Sequence, residues 1–104
     1  MKDEKVRKVI AEFAEEHGLD PVVLFDDQAY DRSIVGITLD GRAVYNYDSM
    51  IDEYREDEQC SEEDALEWVN YNTIRALPYA GPQGPVVMVS TDILNTLYGE
   101  EELK

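Results

Sequence analysis

Two groups of side chains in this sequence have the types and spacing to do chemistry. The first is Trp68, Tyr71 and Arg75, at i, i+3 and i+7, with Tyr79 four residues further on. On a helix the first three lie on one face. Aromatic rings beside a guanidinium dominate many binding hot spots. The set could line a shallow ligand pocket, with Arg75 contacting an anion and Tyr79 in the wall. The second group is carboxylate. Residues 48–67 hold ten acidic groups and one basic group, Arg55, for a local net charge of −9 in a chain whose total is −15. As one straight helix this block spans ~30 Å. That is about one charge per 3.3 Å, close to the ~3.4 Å per charge of a single nucleic-acid strand.

Other chemistry finds less support. There is one histidine, His17, and one cysteine, Cys60. One thiol cannot close an internal disulfide or build a cysteine zinc site. His17 stands where a helix C-terminus favours a cation, which accounts for it without catalysis. The stretch "DDQAYDRS" lacks the glycine and spacing of an EF-hand loop. "AGPQGP" has two glycines, but its prolines lack the amide donors a phosphate cradle needs. Paired carboxylates are too abundant for any chosen pair to be informative. No cofactor is implied, and the reading leans away from an enzyme.

Composition sets outer bounds. A chain of 104 residues with 43% hydrophobic residues is expected to fold as a single domain, 1–104. The acidic balance disfavours direct binding to nucleic acid or anionic membrane surfaces, since both need Lys and Arg. No apolar run has the length of a membrane span, and "MKDEKVRKVI" lacks the apolar core of a signal peptide. The expected location is the cytoplasm.

The elements that position these side chains follow from periodicity. Val6, Val9, Ile10, Phe13 and Ala14 predict an amphipathic helix over residues 3–17, ended by Gly18. "PVVLF" predicts a buried strand at 22–25. "SIVGITLDGRAVYNY" predicts a hairpin, strands 34–39 and 42–47, with Asp40-Gly41 in a type I′ turn and Gly36 marking a bulge. A second helix is expected over 48–58, capped by Asp48 or Ser49. A third runs from its cap at Ser61 to Leu77 before Pro78. A strand at 86–89 and a short helix to Tyr98, capped by Thr91 or Asp92, complete the chain. The expected fold class is α+β, a small, at least partly antiparallel sheet of about four strands packed by about four helices.

On the third helix Leu66, Val69, Asn70, Thr73, Ala76 and Leu77 would share an inward face. Asn70, Asn72 and Thr73 are mediocre helix formers. Two readings fit this neutral stretch. It is either a buried central helix, with Arg75 paired to a carboxylate and Trp68 and Tyr71 covering the sheet, or the wall of the pocket described above.

The blocks "YDRSIVGITLDGRAVYNYDSMI" and "SEEDALEWVNYNTIRALPYAG" resemble a family of small bacterial proteins from anaerobic gut bacteria, over residues 22–89. "YNTIRALPY" is the most distinctive string. The resemblance implies a cytoplasmic bacterial protein and carries no reaction, cofactor or catalytic residue.

The reading favoured by the sequence is a protein-interaction module. Its contacts would be Asp52, Glu53, Glu56, Asp57, Glu58, Glu62, Glu63 and Asp64, set against a basic protein surface. In its sharpest form it is a nucleic-acid mimic that occupies the groove of a nucleic-acid-binding protein. The alternative is a small-ligand binder or enzyme centred on Trp68, Tyr71, Arg75 and Tyr79.

Overall fold

Alternation in the hairpin places the core. In a computed structural model, which describes residues 4–99, strands β1 (Ile34–Ile37) and β2 (Ala43–Asn46) pair antiparallel. Ala43 and Tyr45 point inward from β2 and are fully buried. The β1 register slips between Ile34 and Gly36, as expected for a bulge. The predicted type I′ turn is not formed. Gly41 has φ 92° but Asp40 is not in the left-handed region. The Thr38 carbonyl accepts from Gly41 N–H at 3.0 Å, and Thr38 N–H donates to Arg42 carbonyl at 2.8 Å. The connection is therefore three residues long, ending in a left-handed glycine. Thr38 decides this: its hydroxyl donates to Asp40 and accepts from Arg42 N–H.

Strand β3 (Val86–Met88) pairs parallel to β2, giving a mixed three-stranded sheet in the order β1-β2-β3. The protein is thus α+β, with three strands among the described residues rather than about four. The strand expected at 22–25 does not form. Phe25 N–H donates to the Tyr45 hydroxyl at 3.0 Å, and Phe25 carbonyl accepts from Arg7 at 2.8 Å. Side chains satisfy this backbone, so the apolar run reflects burial of Val22, Leu24 and Phe25 against the core rather than strand pairing.

Helix α1 (Glu4–Glu16) ends at Gly18, φ 68°. Gly18 N–H bonds Glu15 carbonyl and Leu19 N–H bonds Ala14 carbonyl, a Schellman closure. A 3₁₀ segment, Gln28–Ser33, follows, with Asp27 accepting from Ala29 N–H. Helix α2 (Tyr47–Glu58) packs on that segment. Its cap is Asn46, two positions before Asp48 and three before Ser49, because Asn46 Oδ1 accepts from Ser49 N–H. Helix α4 (Thr91–Tyr98) is likewise capped by Ser90 rather than Thr91 or Asp92. Both caps are short polar side chains in extended conformation. The core joins Tyr30, Ala43, Tyr45, Met50, Ile51, Ala65 and Val69.

Helix α3 (Glu62–Trp68) is shorter than the predicted third helix. Ser61 caps it as expected. Beyond Trp68 the chain widens into a π-helical turn, Val69–Ile74, and then tightens to a 3₁₀ turn, Leu77–Ala80. Arg75 N–H donates to Asn70 carbonyl, a five-residue step. Asn72 donates its side-chain amide to Trp68 carbonyl at 3.2 Å, so a polar side chain competes for the backbone ladder. The wider turn overturns the predicted inward face. Val69 is buried, but Asn70 and Ala76 are exposed. Asn70 instead accepts from the Tyr47 hydroxyl at 2.8 Å. No helix among the described residues is long and apolar enough to cross a membrane.

Candidate functional site

The acidic face follows from what α2 and α3 bury. Helix α2 turns Met50 and Ile51 into the core, and α3 turns Ala65 inward, with Val69 one turn on. Tyr47, Asp48, Ser49, Tyr54 and Leu66 are half-buried, and most of the other positions face solvent. Asp52, Glu56, Asp57, Glu58, Glu62, Glu63 and Asp64 are all exposed, as is Glu67. Glu53 is half-buried and lies 3.9 Å from Arg32. Glu62, Glu63 and Asp64 sit in the first turn of α3, where the helix dipole favours them. A left-handed Gln59, φ 54°, turns the chain between the helices, so both acidic segments meet around Cys60.

Between the two helices lies an open cleft of about 510 Å³. Three rings line it: Tyr54 from α2, Trp68 at the end of α3, and Tyr71 in the π turn. Tyr54 and Trp68 stack, centroids 5.6 Å apart and planes 10° apart. Trp68 remains 46% exposed and Tyr71 65%. Glu58, Asp64 and Glu67 complete the lining, together with Cys60 and Asn72. Loss of solvent contact raises the pKa of the Tyr54 hydroxyl, and the charge of Glu58 adds to that.

The residues of the alternative site separate. Trp68 and Tyr71 face the cleft just described. The Arg75 guanidinium sits 4.7 Å from the Tyr71 ring centroid, a cation–π contact, and makes no ion pair among the described residues. Tyr79, 89% exposed, lines a second cleft of about 460 Å³ with Tyr30, Thr73 and the 23–27 segment. Only Asn72 borders both. Trp68 does not cover the sheet as the buried-helix reading expected; it covers Tyr54.

Sequence reasoning left four members of the aromatic cleft out of either candidate site: Tyr54, Cys60, Glu67 and Asn72. Tyr54 follows Met50 at i+4 on the apolar stripe of α2, so it reads as core. Its nearness to Trp68 depends on the tight turn at Gln59. No cluster of His, Cys, Asp or Glu side chains suited to a metal ion occurs among the described residues. His17 Nδ1 donates to Phe13 carbonyl at 3.0 Å and its ring stacks on the Phe13 ring, centroids 4.2 Å apart, and it lines neither cleft.

Comparison with known proteins adds no relative: no protein-family model, curated protein or solved structure matches the chain.

Proposed function

We propose that this chain is a protein-interaction module, cytoplasmic in location, whose α2–α3 face receives a basic surface of a partner protein. One observation carries the reading. The carboxylates of residues 48–67 are almost all exposed, and Arg55 is the single cation among them. Such a face attracts cations over several ångströms and speeds encounter. Membership of a family of small bacterial proteins, the reading given to residues 22–89, belongs to the same proposal and adds no chemistry. Mimicry of a nucleic-acid strand is the narrower form of the same reading.

The test compares two variants of equal net charge. One neutralises Glu56, Asp57, Glu62 and Glu63 to their amides. The other neutralises Glu12, Glu15, Glu16 and Asp20, which are also exposed but lie outside the face. Affinity for a labelled arginine-rich peptide is measured across a salt series. The first variant loses most binding and most of the salt slope, whereas the second and Arg75→Ala retain them. Equal losses in both charge variants would reduce the effect to net charge and remove the face as a site.

A further inference from the structure

We propose that the cleft formed by Tyr54, Trp68 and Tyr71, rimmed by Glu58, Asp64 and Glu67, seats an arginine side chain of the basic partner. The inference rests on the proposed function and deepens it, by giving the acidic face a specific anchor point.

The argument starts from an oddity of composition. A chain this rich in carboxylates has no shortage of polar residues for its surface, yet it leaves Trp68 and Tyr71 open to water beside the acidic helices. Exposed large aromatics grouped in a concavity mark binding sites more often than single surface rings do. The lining then selects the ligand. Anions are repelled by three carboxylates. A neutral ligand would gain no charge attraction from those exposed carboxylates. A divalent ion needs carboxylates converging on one point, and no such cluster is found among the described residues. What remains is a cation broad enough to touch rings and separated acids together.

A guanidinium meets that description better than an ammonium. It is planar, more weakly hydrated, stacks on aromatic faces and offers paired donors to carboxylate oxygens. The chain already shows the contact: Arg75 lies over Tyr71 at 4.7 Å. The Tyr54–Trp68 stack uses one face of each of those rings and leaves Trp68 nearly half exposed. The Tyr54 hydroxyl pKa is raised chiefly by loss of solvent contact, and the Glu58 charge adds to that from the same rim.

Trp68 is the chain's one tryptophan, so its emission reports on the cleft alone. The experiment titrates the full chain with two peptides of identical length and charge, one built on arginine and one on lysine. Binding is followed by calorimetry and by Trp68 fluorescence. The arginine peptide is expected to bind about tenfold more tightly and to change Trp68 emission. Tyr71→Leu and Glu67→Gln, both at exposed positions, should bring its affinity down to that of the lysine peptide. Circular dichroism confirms that each variant is folded. Equal binding of both peptides with unchanged emission overturns the arginine seat while leaving the acidic face standing. An arginine preference that survives both substitutions also overturns it, by locating the preference elsewhere. Failure of both peptides to bind removes the proposed function and the seat together.

Discussion

Arg7 grips Asp31 with two donors. Its Nε lies 2.7 Å from Asp31 Oδ2 and its Nη2 2.8 Å from Oδ1, while the same Nη2 donates to Phe25 carbonyl at 2.8 Å. Asp31 is 2% exposed and Arg7 is about a third exposed. One guanidinium therefore ties α1 to the 3₁₀ segment and to the irregular 22–25 run, and the hydrogen bonding to Asp31 raises the Arg7 pKa further. The 3₁₀ segment in turn packs on α2, so this buried pair underpins the acidic face without belonging to it.

Breaking that pair from one side should be severe. Arg7→Ala leaves a buried carboxylate with no cation, a change that typically costs about 3–5 kcal/mol. In a domain whose whole stability is several kcal/mol, the variant should be largely unfolded by circular dichroism. The double variant Arg7→Met/Asp31→Leu should recover much of the loss, since neither charge then stays buried. Denaturant melts of the three proteins check this, and an Arg7→Ala protein as stable as the parent would show the pair to be idle.

Alkaline pH should weaken the fold through Tyr45. Burial raises its hydroxyl pKa to about 12, and the nearby Asp31 charge also raises it. An unfolded tyrosine ionises near 10. Below pH 10 both states are protonated, and the stabilisation is fully present. Between pH 10 and 12 the unfolded chain loses its proton and the folded one keeps it, so stability falls by about 1.4 kcal/mol per pH unit. Tyr45→Phe should flatten this slope. It should also lower neutral-pH stability by roughly 1–2 kcal/mol, because Phe25 N–H loses its acceptor. Urea midpoints from pH 8 to 11.5 measure both effects; an unchanged slope would remove Tyr45 as its source.

Much of this fold was legible because apolar periodicity and turn residues agreed. The helix ending at Gly18, the strands around Asp40-Gly41, the cap at Ser61 and the α+β class all rest on local signals. What was not legible depended on partners distant in sequence. The 22–25 run looked like a strand, and only Arg7 and Tyr45, 18 and 20 residues from Phe25, explain why it is not. Asn70, Asn72 and Thr73 did announce trouble in the third helix, but not that it would widen into a π turn. The aromatic cleft was half visible: Trp68 and Tyr71 by spacing, Tyr54 only once the chain turned at Gln59.

The hairpin turn offers a conformational check. Gly41 has φ 92°, and an added Cβ would meet Leu19 Cδ1 at 3.4 Å, ordinary contact. Sterics therefore contribute little, and the left-handed backbone dominates. Gly41→Ala should destabilise by about 1–2 kcal/mol, while Gly41→Asn, which tolerates this region better, should lose less. Thermal melts rank the two. An order with alanine the milder would mean that the three-residue connection does not hold in solution.

Glu58 sets stability against binding. It is the last residue of α2, where the helix dipole presents partial negative charge and a carboxylate is disfavoured. Its only basic neighbour in the last turn is Arg55, and Asp57 stands beside it. A residue placed there for folding alone would be neutral or basic. Glu58→Gln should therefore raise stability slightly, by roughly 0.3–0.5 kcal/mol, and lower affinity for the arginine peptide, since Glu58 lines the aromatic cleft. Glu62→Gln reverses the first sign: its carboxylate lies in the first turn of α3, so the fold should weaken. Melts and titrations on the same samples compare the two. If Glu58→Gln destabilised the protein, or left peptide binding intact, the carboxylate would be serving the fold and not a cation.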